Sequence, residues 1–309
     1  MAYNFWEQRE KNSRKTVLLI LVFIVLLGFI GYGVDILYLN SRYPVMTILA
    51  VMIAGIQSLI AYFAGDKLIL ATVGAHTLYM NVPQEKQLFN VVKEMSIAAG
   101  LPMPRVYIFA EDSPNAFATG RDERHASIAV TDGLLYTMDR EELQGVIAHE
   151  MAHIRNRDIL TMMIVSTLLG SIILLADWVR RIMFYGGGSR RGKSRSSNSI
   201  IFAIFIILVI LSPVLSRLIA LAVSRAREYM ADAGSVEFTR NPEALAKALE
   251  KISIAADRVV DKATQGTAHL FISDPLNRKI NNKESYFAEL FSTHPPIYKR
   301  IVLLRGMNK

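Results

Sequence analysis

DREELQGVIAHEMAHIRNRD, residues 139–158, reads as one helix with a metal-binding pattern near its end. Asp139 followed by Glu142 is a capping-box signature, in which each side chain accepts from the other's backbone N–H. It predicts a helix over Arg140–Asn156. Leu143, Val146, Ile147, Met151 and Ile154 recur at helical spacing and give that helix a buried face. On such a helix His149 and His153 stand one turn apart on a shared face, so both imidazoles can reach one ion. Zn²⁺ accepts imidazole nitrogen readily, and Glu150 beside the pair can act on water at that ion.

The surrounding composition is that of a membrane protein. Of 309 residues, 52% are hydrophobic and only 20% charged, and the apolar excess is concentrated in runs. Thr16–Leu39 is long enough to cross a bilayer, which takes about 20 apolar residues. It follows Arg9, Lys11, Arg14 and Lys15, and no small-residue cleavage site marks it as a signal peptide. Val45–Phe63 forms a second span after the short loop Asn40–Pro44. Basic flanks are retained on the cytoplasmic side, so two spans return the chain there. The net charge of +8 fits lipid headgroups beside the runs, and no nucleic-acid recognition motif accompanies it. With no cysteine, thiol catalysis, disulfides and iron–sulfur clusters are excluded.

Four regions follow: 1–64 with two membrane helices, 65–158, 159–223 and 224–309. In the second, Gln84–Ala99 reads as a helix between Pro83 and Gly100. Val106–Phe109 and Ser127–Thr131 are strand candidates, and Glu111–Arg124 between them holds Pro, Asn and Gly. The third region contains two apolar runs, Ile159–Ala176 and Ser199–Val223, joined by the basic Gly/Ser-rich linker Gly186–Asn198. If both runs crossed, that linker would lie outside, against the positive-inside tendency. In the fourth, Asn241-Pro242 starts a helix running to about Ala256, and Asp257–Ser285 reads as mostly irregular. The expected fold is mainly α with a small β-sheet and about four transmembrane or membrane-associated helices.

A catalytic zinc takes three protein ligands, so a third donor must come from another histidine or a downstream carboxylate. Glu228, in Arg227-Glu228-Tyr229-Met230-Ala231-Asp232, is the outstanding candidate, with Asp232 one turn on. By spacing alone that pair usually means a solvated helix face. His76, His125 and His269 receive no role, and Asp158 reads as a local cap or pairing partner.

HEMAHIRNRD (149–158), EYMAD (228–232), NAFATG (115–120) and HPPIYKR (294–300), in this order, resemble the HtpX-type membrane metalloproteases. These belong to the gluzincin group and are related to the CAAX prenyl proteases. The resemblance implies a gluzincin-type protease domain with one Zn²⁺ on His149, His153 and Glu228, and Glu150 as general base. It implies Asp232 as a partner holding a ligand histidine, and Asn115 and Ala116 in an edge strand that pairs with the substrate backbone. His294 and Arg300 match an element near the zinc that would aid the transition state. The implied activity is endopeptidase cleavage of protein substrates. Misfolded or damaged membrane proteins are the expected class, in stress-related quality control alongside other membrane proteases. The expected location is a bacterial or archaeal cytoplasmic membrane, with the site facing the cytoplasm. A lipid-modified peptide is a further substrate class within this reading. A zinc scaffold without catalysis would have no use for Glu150. A transporter would carry ionisable residues inside its spans, and the first two are almost free of them.

Overall fold

A computed structural model describes residues 5–37, 43–185, 225–255, 270–272 and 295–307. It opens with two long helices, α1 (Phe5–Leu37) and α2 (Val45–Thr72). Asn12–Gly33 and Val45–Thr72 are the candidate spans, with only 22% and 17% of their most apolar windows buried. Large apolar side chains such as Val17, Leu21, Val25, Phe29 and Ile56 point outward. In water such a surface would be an aggregation liability, whereas lipid matches it. The joint between the helices is a polar cap: the Asp35 carboxylate accepts from Met46 N, Thr47 N (both 2.9 Å) and Thr47 Oγ1 (2.8 Å). These bonds satisfy donors that the first turn of α2 leaves without helical partners.

Helix α2 continues past Phe63 to Thr72, so the boundary expected after residue 64 falls inside it. Gly65-Asp66-Lys67 resembles a stop, yet Asp66 is met by Arg105 at 2.7 Å and the helix carries on into the body of the protein.

A four-stranded sheet follows, formed by β1 (His76–Thr77), β2 (Arg105–Phe109), β3 (Ala116–Gly120) and β4 (Ala126–Thr131), in the order β1-β2-β4-β3. β2 and β4 run parallel, while β1 and β3 pair antiparallel to their neighbours. β3 lies within the stretch read as a Pro/Asn/Gly-containing loop. Only Phe117 and Thr119 carry the aromatic and branched signature of its neighbours; two alanines and a glycine dilute it.

The sheet is buried on both faces, with residues alternating as strand geometry dictates. Val106, Ile108, Ala116, Ala118, Ile128 and Val130 belong to the core with the soluble helices. These are α3 (Pro83–Ala99), the short α4 (Asp132–Thr137), α5 (Arg140–Arg155), α7 (Arg225–Thr239), α8 (Pro242–Ala255) and α9 (Ile297–Gly306). Phe109, Phe117 and Ala129 face the other way, toward Ile69 and Leu70 of α2, Met162 and Met163 of α6 (Asp158–Tyr185), and Phe271. The sheet therefore separates the soluble helices from the ends of the membrane helices.

Helix α6 takes up the apolar run Ile159–Ala176 and extends it to Tyr185. Its Ile164, Leu168 and Ile172 pack with Phe23 of α1 and with Ala54 and Ala61 of α2. Among the described residues only α1 and α2 are long and apolar enough to cross a bilayer. The run Ser199–Val223, the linker Gly186–Asn198 and most of Asp257–Ser285 lie outside the described residues.

Candidate metal centre

Helix α5 forms because its start is fixed twice: Glu142 N donates to Asp139 Oδ1 and Asp139 N to Glu142 Oε2, both at 2.9 Å. Every residue from Val146 to Ile154 is buried, including His149, Glu150 and His153. The imidazole rings lie 4.8 Å apart at 89°, with their Nε2 atoms 3.2 Å from each other.

Glu228, near the start of α7, completes the group. Its Oε2 is 3.8 Å from His149 Nε2, and its Oε1 is 3.7 Å from His153 Nε2. Ligand bonds of about 2.0–2.1 Å in a tetrahedral zinc site separate neighbouring donors by about 3.4 Å. The three separations bracket that value, and the donor set of two imidazoles and one carboxylate suits Zn²⁺. His149, His153 and Glu228 are the cluster with metal-binding geometry among the described residues. What brings α7 close is Gly234, where an added Cβ would lie 2.6 Å from the Ala152 side chain. Ser235 Oγ adds a bond to Gly145 O at 2.8 Å.

Each histidine is held through its other nitrogen. Asp232 Oδ1 lies 3.0 Å from His149 Nδ1. The buried Arg300 of α9 grips that carboxylate with two bonds, Nη2 to Oδ1 at 2.6 Å and Nε to Oδ2 at 2.9 Å. Arg300 Nη1 also donates to Ile272 O at 3.1 Å. On the other side, His153 Nδ1 lies 3.3 Å from Asp158 Oδ2. Asp158 thus does more than cap α6; it faces the nitrogen opposite the cluster.

The electrostatics differ between the two rings. Burial and the nearby Arg300 cation push the His149 pKa down to about 4, against the pull of Asp232. Burial also disfavours charge on His153, but Asp158 and Glu228 outweigh it and raise its pKa to about 9. Burial, with Glu228 adding repulsion, raises Glu150 to about 7, although the Ala118 N–H donates to its carboxylate. Burial of Asp232 is outweighed by Arg300, which holds its pKa below the usual value.

β3 is the sheet's edge on this side. Asn115 is buried, with Oδ1 accepting from Ala116 N at 3.1 Å and its own N–H donating to Thr131 Oγ1 at 2.9 Å. Ala116 O accepts from Ile272 N at 3.1 Å, so part of that edge is already taken by the chain itself. His125 pairs with Asp122 at the surface. His294 and His269 lie outside the described residues.

The family model for Peptidase family M48 matches residues 83–308, which contain the whole cluster. The chain belongs to peptidase family M48. It is 44% identical over 304 residues to "Protease HtpX homolog" from Thermoanaerobacter pseudethanolicus, covering 98% of this chain and 97% of that one. A protein of the same description from Streptococcus uberis is 41% identical over 307 residues, covering 98% and 99%. Among solved structures, S. mikatae Ste24p is similar at TM-score 0.53 and 17% identity, over 96% of this chain and 66% of that one. That likeness is one of fold. As an M48 metallopeptidase with two apolar helices, the chain is a membrane metalloprotease, and the resemblance read from its four motifs is the right one.

Proposed function

We propose that this M48 peptidase is a zinc endopeptidase that cleaves membrane proteins, misfolded or damaged ones above all, at their cytoplasmic face. The observation that carries the metal assignment is the convergence of His149, His153 and Glu228, all buried, with one ligand atom of each within 4.8 Å of the others. One zinc per chain, held by these three, leaves a position open to water and substrate. Bound there, zinc would polarise the scissile carbonyl and acidify water at the site.

Glu150 is the general base. Its carboxylate stands beside the cluster, where it would take the proton of the attacking water and hand it to the leaving amine. Asp232 and Asp158 keep the two imidazoles oriented, because a ligand histidine is fixed by what its second nitrogen bonds. Arg300 makes its shortest bonds to Asp232 and Ile272 O, with Nη1 also 3.6 Å from Glu228 Oε2, so we assign it to holding Asp232 rather than to the developing oxyanion. His294 keeps the role of assisting charge at the carbonyl.

A substrate strand would add to β3 by backbone hydrogen bonds. At Ala116 it would displace the bond from Ile272 N. Asp158 begins α6, so the cleft lies beside the membrane helices and within reach of loops leaving the bilayer. The basic residues Arg9, Lys11, Arg14 and Lys15 at the start of α1 support a cytoplasmic site. A role in quality control under stress, alongside other membrane proteases, follows from the family resemblance.

Proteolysis of an unfolded model protein in detergent tests the chemistry, comparing wild type with Glu150→Gln at equal zinc content. Loss of the base should cost about 10²–10⁴-fold in rate. Equal cleavage by the two would overturn the role of Glu150.

A further inference from the structure

The two aspartates that back the histidines are supported differently. Asp232 is gripped by Arg300 of the soluble body. Asp158, whose side chain is fully buried, has no comparable cation among the described residues: Arg227 Nη1 is 3.8 Å from its Oδ1, beyond hydrogen-bond reach. Its short donor comes from the first membrane helix. Asn12 Nδ2 donates to Asp158 Oδ1 at 2.7 Å and to Asn156 O at 3.0 Å. Asn12 is 1% exposed and begins the first candidate span. One turn on, Thr16 Oγ1 meets Thr161 Oγ1 of α6 at 2.8 Å.

A buried carboxylate that loses one of its donors is free to turn, and turning releases the imidazole it holds. Asp158 uses Oδ2 for His153 and Oδ1 for Asn12, so the asparagine fixes the plane in which the carboxylate meets the ring. The Thr16–Thr161 bond docks the same helix face without touching that carboxylate.

We infer that Asn12 is a positioning residue of the metal centre, acting through Asp158 on His153, so that the first membrane helix is part of the zinc site. This rests on His153 being a zinc ligand. It makes zinc retention depend on α1 being seated against α6, and a protein whose first helix is displaced would lose metal as well as its anchor.

The test uses the full chain in detergent, with zinc affinity read by competition with a chelator and the visible spectrum of the cobalt-substituted protein as a second readout. Asn12→Ala should weaken zinc by about 10–100-fold, the usual cost of losing such a partner, and shift the cobalt bands. Asn12→Leu, which keeps the side chain's bulk, replaces it if the smaller residue leaves α1 undocked. Thr16→Val removes a docking bond only and should bind zinc like wild type. Combined with Asp158→Asn, the Asn12→Ala effect should largely disappear, because both act through one carboxylate. His153→Ala separates the two levels. If it binds zinc as wild type does, the ligand assignment itself fails. If it loses zinc while the Asn12 variants keep wild-type affinity and spectrum, only the inference is overturned. Equal weakening by Thr16→Val and Asn12→Ala would also overturn it, because helix docking alone would then account for the loss.

Discussion

His149 and His153 stand one turn apart on the same helix, point Nε2 at the same Glu228, and are held by opposite halves of the molecule. The His149 side is built from the soluble body: Asp232 on α7 and Arg300 on α9, joined by two hydrogen bonds. The His153 side is built at the membrane: Asp158 at the start of α6, with Asn12 of α1 bonded to it. The first is a closed ion pair inside a packed core. The second gives the carboxylate a neutral donor and leaves Arg227 at 3.8 Å, with none of its donor atoms hydrogen-bonded among the described residues. The lesson is that one helix supplies both imidazoles while the restraint on them is divided between two parts of the fold.

The largest expected difference between the two sides is in stability. Arg300→Met leaves Asp232 buried without its cation and should cost about 3–5 kcal/mol. Arg227→Met removes a buried charge that makes no hydrogen bond, so its cost should be well below that. Melting of the two variants in detergent checks this, and equal losses would erase the distinction.

Next in size is zinc affinity. Asp232→Asn and Asp158→Asn should each weaken binding by about 10–100-fold, since each removes the partner of one ligand histidine. Only Asp232→Asn should also lower the melting temperature markedly, because it strands Arg300. Chelator competition and thermal melting on the same samples separate the two effects.

The smallest effect is a pH dependence that the two rings do not share. In the metal-free protein His153, raised to about 9, carries a proton at neutral pH, and His149, lowered to about 4, does not. Zinc must displace that one proton, so its affinity should fall about tenfold per unit as pH drops below about 9. Calorimetry in buffers of different ionisation enthalpy at pH about 6, below the range in which Glu150 and zinc-bound water ionise, should count close to one proton released. No proton released, or two, would contradict the asymmetry.

Much of this was legible in the residues because the signals were local. The Asp139/Glu142 box and the spacing of Leu143, Val146, Ile147, Met151 and Ile154 define α5 within one short segment, and His149, Glu150 and His153 come with it. Glu228 was not legible in the same way, since carboxylates one turn apart read as a wetted surface. It took a resemblance across four motifs to single it out. β3 was hidden by its composition: Ala116–Gly120 holds two alanines and a glycine and follows the turn-like pair Pro114-Asn115, and it becomes a strand through pairing with β4. Asp158 reads as a local cap or pairing partner, and its contact with His153 is local; its bond to Asn12, at the far end of the chain, was not legible because nothing near either residue announces it. The run of α2 beyond Phe63 was concealed by Asp66, whose ion pair with Arg105 is likewise non-local.

Everything proposed for this site depends on His149, His153 and Glu228 jointly holding a single zinc. Metal analysis of the detergent-purified full chain, beside His149→Ala, His153→Ala and Glu228→Ala, tests it most directly. The expected result is about one zinc per wild-type chain and loss of that metal in each variant, with all four proteins still folded. Full zinc occupancy in any folded variant would contradict it.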